Sequence, residues 1–141
     1  MSSSTPALAD EAACFAATLR FFRSLDARDH ETCVAAFASG GAWHRQGKRL
    51  DTAEAMLASL EARPKDRTTS HVITNLISEA IDADRLVVRF ILTAYDGAIP
   101  ADGSVPVGRL AGMMDGRDEY VRTAEGWRLI DKSTRGLFKG A

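Results

Sequence analysis

An imidazole and a carboxylate are the pair in this sequence best suited to move a proton. His71 lies in the run Ser70-His71-Val72-Ile73-Thr74-Asn75-Leu76-Ile77, and Asp26 extends an apolar row written Phe15, Leu19, Phe22. A neutral imidazole is a base whose working range spans physiological pH. A carboxylate within hydrogen-bond reach fixes its tautomer and stabilises the imidazolium that forms. Each group is costly to bury alone, and pairing offsets part of that cost. The chemistry of such a pair is abstraction of a proton from carbon, followed by loss of a leaving group or a double-bond shift. Trp43, Ile73, Tyr95 and Met113 would line an apolar pocket around it, and Asn75 or Tyr95 could donate a hydrogen bond to a substrate oxygen. The same two residues also fit a structural Asp–His pair that satisfies two buried polar groups and does no chemistry.

Two elements must position this pair. Residues Asp10 to about Ala27 read as a helix, with Phe15, Leu19 and Phe22 at helical spacing flanked by Cys14, Thr18, Phe21 and Leu25. At about 100° per residue, Asp26 falls between Phe15 and Leu19 in projection. It is therefore a carboxylate on the core-facing stripe, placed against the helix dipole. Arg20, Arg23 and Ser24 take the solvated side. The His71 run reads as the start of a long strand from Thr68 to about Ile81. Alternation puts His71, Ile73, Asn75 and Ile77 on one face. Both faces carry apolar residues, so both are expected to be covered.

The remaining elements follow from the same signals. Asp29 reads as the N-cap of a short helix, His30 to Ala38, broken at Gly40-Gly41. Ala42-Trp43-His44-Arg45-Gln46 reads as a first strand, with Trp43 inside, His44 on the outer face and a turn at Gly47-Lys48. Asp51-Thr52-Ala53-Glu54 has the form of a capping box and opens a third helix to about Ala62. A turn at Asp82-Ala83-Asp84 leads to a return strand, Arg85 to Tyr95. A Pro- and Gly-bearing loop from Asp96 to Gly108 precedes a long strand, Arg109 to about Thr123, and a last one, Trp127 to about Arg135. Arg117, Asp118, Glu119 and Arg122 read as a solvated or interface charge ladder. Three helices, one early strand and three long antiparallel strands give an α+β fold, a cone-shaped barrel with helices packed on a curved, mostly antiparallel sheet.

Composition narrows the function classes. The chain has 141 residues, 45% apolar and 26% charged, with a formal net charge of −1. That length suits one domain, and the Ser-rich stretch Met1 to Ala9 reads as a disordered tail. The near-neutral balance with scattered basic residues gives no case for nucleic acid or an anionic membrane. No apolar run reaches the about 20 residues that cross a bilayer. The N-terminus lacks the pattern of a secretory signal. Cys14 and Cys33 fall on apolar helix stripes and read as buried free thiols of a reducing, cytoplasmic compartment. There is no zinc-site Cys/His spacing and no glycine-rich phosphate loop, so neither a metal nor another cofactor is expected. The expected partners are a small hydrophobic molecule and further copies of the chain, as a homodimer or homotrimer.

Four stretches carry a family resemblance: Ser24-Leu25-Asp26-Ala27-Arg28-Asp29, Ala42-Trp43-His44-Arg45-Gln46-Gly47, Ser70-His71-Val72-Ile73-Thr74-Asn75, and Asp118-Glu119-Tyr120-Val121-Arg122 through Gly126-Trp127-Arg128. With the order of elements they resemble the nuclear transport factor 2-like superfamily (cystatin-like fold), and within it the SnoaL-like proteins. The resemblance covers nearly all of the chain after the tail and implies one SnoaL-like domain over residues 10–141. Scytalone dehydratase and hexachlorocyclohexane dehydrochlorinase are similar around Asp26 and His71, which implies an Asp–His dyad inside the cone. The dehydrochlorinase also has a tryptophan matching Trp43 and an arginine near Arg122. Leu25 stands where the dehydratase has a tyrosine, and Tyr95 near its second histidine. The β subunits of aromatic-ring-hydroxylating dioxygenases are similar through the His-Val-x-x-Asn strand and the Gly-Trp-Arg ending. They imply instead a non-catalytic partner of a metal-bearing α subunit. The superfamily hosts both kinds, so the resemblance implies fold more sharply than function.

Overall fold

Helix α1 (Leu8–Asp26) buries Cys14, Thr18, Phe21, Phe22 and Leu25. In the computed structural model, which describes residues 4–140, this stripe is rotated from the expected Phe15-Leu19-Phe22 row. Leu19 is exposed, and Ser24, read as solvated, is buried. Asp26 sits at the edge of the stripe, where the helix stops. The stop is a Schellman motif: the Arg28 N–H donates to Leu25 O and the Asp29 N–H to Ser24 O. Arg28 holds the left-handed position at φ 58°. The helix begins two residues before the expected Asp10. Ser4, in the stretch expected to be a disordered tail, exchanges two backbone hydrogen bonds with Ala80. Residues 1–3 of that stretch lie outside the described residues.

Helix α2 (His30–Ala35) is capped by the Asp29 side chain, which accepts from the Thr32 N–H. It ends three residues before the expected Ala38, because the chain joins strand β1 (Phe37–Arg45) at once. Gly40 and Gly41 therefore lie within a strand. A Cβ on Gly41 would stand 2.5 Å from Leu129 O, so glycine lets this strand close on its neighbour. Gln46 and Gly47, both at positive φ, make the two-residue turn to strand β2 (Lys48–Leu50). Thr52, not Asp51, caps helix α3 (Ala53–Glu61), accepting from the Ala55 N–H.

Four long strands complete the chain: β3 (Arg67–Asp82), β4 (Arg85–Ala98), β5 (Arg109–Thr123) and β6 (Gly126–Lys139). The sheet order is β2-β1-β6-β5-β4-β3. β1 and β6 run parallel and every other neighbouring pair antiparallel. The sheet curves but does not close, so β2 and β3 are its edge strands, β3 bonded at Ala80 by Ser4, and the expected barrel is an open cone. Helix α1 lies against β3 and β4. The core between them holds Phe21, Phe22, Leu86, Val88, Phe90, Leu92, Tyr120 and Leu129.

Bulges decide which side chains enter that core. In β3 the ladder shifts between Thr74 and Ile77, and Asn75 takes φ 55° as the extra residue. Asparagine is one of the few residues that tolerates that region. Past the bulge Leu76 packs on the core while Ile77 is 62% exposed. In β6 Glu119 pairs with Asp131 but Tyr120 pairs with Leu129, so Ile130 is the extra residue. Leu129 and Lys132, three apart, consequently both face inward.

Candidate active site

The C-terminal turn of α1 and the first third of β3 bring Asp26 and His71 together. His71 Nδ1 lies 2.5 Å from Asp26 Oδ1, and the His71 backbone N–H donates to Asp26 Oδ2 at 2.8 Å. Thr69, two residues earlier on the same strand face, donates its hydroxyl to Asp26 Oδ1 at 2.8 Å. Arg63 Nη2 in turn donates to Thr69 Oγ1 at 2.9 Å, which turns the threonine proton toward the carboxylate. Burial by itself would raise the Asp26 carboxyl. The hydrogen bonds from the His71 ring, the His71 N–H and Thr69, with the attraction of a charged imidazole, outweigh it and hold the group below its ordinary value. The carboxylate offers only acceptors, so in the neutral form of the ring Nδ1 carries the proton and Nε2 the lone pair. Nε2 has no hydrogen-bond partner among the described residues. The ring leans on Phe22, with centroids 5.5 Å apart.

His71 stands on the wall of a cavity of about 430 Å³. Asp26 stands behind it and is absent from the lining. Phe22, Leu25, Trp43, Leu92 and Met114 form the apolar part. Arg28, Arg45, Arg63 and Arg67, all partly exposed, dominate the polar part of the wall, which also includes Asp96 and Lys132. The expected pocket is apolar with Asn75 or Tyr95 as hydrogen-bond donors, whereas this one has a strongly basic side.

The other expected site residues divide. Trp43 lines the cavity and is buried. Ile73 faces inward, pairing in register with Leu92, and packs on the core beside the cavity. Asn75 is displaced to the surface by its own bulge. Tyr95 pairs with Ser70 on the outer face and is 42% exposed, so it is not a substrate contact. Met113 pairs with Thr93 on that same face, and its neighbour Met114 takes the cavity position. Arg122 stacks on Trp127 and bonds Asp10 near the β3–β4 turn, away from the cavity. His44, expected on the outer face, is exposed and pairs with Asp131 at 2.9 Å, and it also borders the cavity next to Trp43.

Sequence reasoning missed a second polar pair inside the cone. Asp118, read as part of a solvated ladder, is fully buried, and so is Lys132. Lys132 Nζ donates to both carboxylate oxygens at 3.0 Å. Thr18 Oγ1 donates to Asp118 Oδ2 at 2.9 Å and accepts from the Tyr120 hydroxyl at 2.8 Å. The Lys132 ammonium also lies 4.2 Å and 4.3 Å from the ring centroids of Phe21 and Phe22. Burial pulls its pKa below the ordinary lysine value against the opposing pull of Asp118. Burial, with Asp118 nearby, pushes the Tyr120 hydroxyl well up. Lys132 reaches the lining of the His71 cavity. The readable signal was Asp118-Glu119-Tyr120, whose alternation puts Asp118 on the face of a large aromatic. The bulge at Ile130 concealed Lys132.

The two cysteines are free and buried. Burial pushes Cys14 up to about 12 and Cys33 up to about 11, values that leave neither thiol reactive at neutral pH. Among the described residues no group of three or more His, Cys, Asp or Glu side chains is arranged to hold a metal ion. No helix among them is long and apolar enough to cross a membrane.

Helices packed on one face of an open, curved sheet, with a cavity between them, define a protein of the cystatin-like, nuclear transport factor 2-like class. The chain belongs to the SnoaL-like domain family, whose sequence profile matches residues 6–132. Among solved structures, a Nostoc punctiforme protein of unknown function with a cystatin-like fold is similar at 20% identity and TM-score 0.76, covering 95% of this chain and 96% of that one. A Novosphingobium aromaticivorans protein provisionally assigned as a scytalone dehydratase is similar at 16% identity and TM-score 0.77, over 92% and 85%. Another from that organism, provisionally assigned as an aromatic ring hydroxylase, is similar at 14% identity and TM-score 0.82, over 97% and 96%. At these identities the likeness establishes the fold alone. No curated protein matches the sequence.

Proposed function

We propose that this SnoaL-like protein is a cofactor-independent lyase or isomerase that removes a proton from carbon with His71 as base. The observation that carries the reading is the oriented dyad. Asp26 accepts three hydrogen bonds, one from Nδ1 of an imidazole whose other nitrogen is unpartnered and whose ring lines a cavity. A structural pair would satisfy both polar groups and needs no open base. Here only one ring nitrogen is used. His71 Nε2 takes the proton, Asp26 stabilises the imidazolium, and the apolar wall of Trp43, Leu92 and Met114 excludes water from the developing carbanion. The Lys132 ammonium on the same wall supplies positive charge toward an oxygen or leaving group that gains electrons. The dehydratase assignment of a structural neighbour is consistent with this chemistry.

The test is deuterium uptake at carbon. Incubated in D2O with an enolisable aryl ketone such as 2-tetralone, the wild-type protein should exchange the α-protons faster than buffer, read by proton NMR. His71→Gln should fall to the buffer rate, and Asp26→Asn by about 10²-fold or more, the range general bases contribute. The ¹⁵N spectrum of the neutral ring should show the Nδ1-protonated tautomer in the wild type. A ketone that shifts the His71 signals yet exchanges equally with wild type and His71→Gln would remove the base from this reading and leave a binding protein.

A further inference from the structure

The cavity carries more positive charge than its own carboxylates answer. Five cationic side chains line it: Arg28, Arg45, Arg63, Arg67 and Lys132. Lys132 is paired with Asp118, and Arg67 with Asp96 at 2.9 Å. Among the described residues, no carboxylate stands within ion-pair distance of Arg28, Arg45 or Arg63. Their hydrogen bonds go to neutral acceptors. Arg28 donates to Pro64 O and Arg67 O, Arg45 to Ser59 O and Oγ, and Arg63 to Leu25 O and Thr69 Oγ1. Each fork therefore keeps N–H donors in reserve.

The three guanidinium groups also act on one another. Burial, then the charge of Arg63, lowers Arg45; burial, then the charge of Arg28, lowers Arg63, with Asp26 opposing at longer range. Arg63 stands between two like charges in a partly desolvated wall. Arg28 adds a backbone oddity. It occupies the left-handed position of the α1 stop at φ 58°, where glycine is the usual residue. A bulky residue held in that conformation, with its guanidinium on a cavity wall, is strain kept at a binding surface.

We propose that the ligand of this cavity carries a carboxylate, bound by Arg28, Arg45 and Arg63, with its apolar body against Trp43, Leu92 and Met114. Guanidinium forks match a planar, two-oxygen acceptor, and the partly buried setting makes each charge-assisted bond stronger than it would be in water. The proposal names the substrate class of the site proposed above and rests on that cavity being the site. It narrows the small hydrophobic molecule expected from the sequence to an aromatic or alicyclic acid.

The experiment is a calorimetric titration of the full chain with three probes of one shape: 2-naphthoate, methyl 2-naphthoate and 2-naphthyl phosphate. At low ionic strength the acid should bind at least tenfold tighter than the ester, and added salt should shrink that margin. Arg45→Gln should shrink the margin between acid and ester, with Arg45→Lys restoring part of it. Arg28→Gly is the second variant. Glycine suits φ 58°, which offsets the lost bonds to Pro64 O and Arg67 O, so this protein should keep the wild-type far-UV circular dichroism while losing affinity for the acid. Equal binding of acid and ester, tighter binding of the phosphate than of the acid, or an undiminished margin in both arginine variants would overturn the carboxylate. The His71 ring resonances, followed in the same titrations, separate the two readings. If the ester shifts them and the acid binds no better, only the carboxylate falls. If the acid binds tighter and His71 does not respond, the base falls and the anion site stands.

Discussion

At the scale of single residues, the site is a relay of fixed donors around one carboxylate. Arg63 turns Thr69, Thr69 and the His71 N–H hold Asp26, and Asp26 fixes the imidazole. These bonds are made to the ionised form, which is why Asp26 tolerates a half-buried place at the unfavourable end of a helix dipole. The same bonds link stability to pH. The folded-state pKa of Asp26 is depressed, so its contribution is present above the unfolded value near 3.8 and is lost as pH falls through the lower folded value. Asp26→Asn should therefore cost about 1.5–3 kcal/mol at pH 7, the range for hydrogen bonds to charged groups. The gap between wild type and variant should close as pH drops below the ordinary carboxylate range. Urea unfolding at pH 7 and at a series of acid values would check this. A gap that stays constant with pH would mean that Asp26 contributes shape and no charge.

At the scale of elements, irregularities in the strands decide what the site contains. The pairing of Asp26 with His71 was legible because both residues lie before any bulge: the helix stripe and the first turns of β3 keep ideal periodicity. Residues past an irregularity were not legible. Asn75 was placed inward by alternation and is turned out by its own left-handed φ. Met113 and Tyr95 are a different case: the extra residues at the two shifts beside them are Ala111 and Leu137, so β4 and β5 alternate regularly there, and alternation alone puts both side chains on the outer face and Met114 on the cavity. Lys132 was hidden because the extra residue at Ile130 reverses the parity of β6. The buried pair that results ties β5 to β6 beneath α1, through Asp118, Lys132 and Thr18. Removing one partner leaves the other charge buried without an answer, which costs about 3–5 kcal/mol, whereas an apolar replacement of both is far milder. Lys132→Met and Asp118→Asn should each lower the urea midpoint sharply. The double variant Asp118→Leu with Lys132→Met should recover most of the loss. Equal losses in single and double variants would mean that packing of the two side chains matters and their pairing does not.

At the scale of the molecule, the two faces of the sheet have separate jobs. The concave face carries the cavity and is covered by the helices. The convex face carries a row that runs across four strands: Val72 opposite Thr93, Thr93 opposite Met113, and Met113 opposite Phe138. Tyr95 and Leu110 pair directly beside that row. Phe138 is 68% exposed and Val72 44%. Val72, Met113 and Phe138 on an uncovered sheet face form the kind of exposed apolar surface that marks an interaction site, and we propose that it joins two copies of the protein, the dimer of the two assemblies expected from the sequence. The pair would bury its interface on the side away from the cavity, so assembly and ligand binding should be separable. Light scattering on the wild type should give twice the 15.2 kDa chain mass. Phe138→Glu should give the single mass, because a charge placed in the row must be desolvated twice across a two-fold axis. Since Phe138 is already exposed, that variant should keep its fold and its affinity for an aromatic acid. A wild-type monomer, or a dimer that Phe138→Glu leaves intact, would show that this face is not the interface. Loss of ligand binding together with the dimer would instead join the two faces into one functional unit.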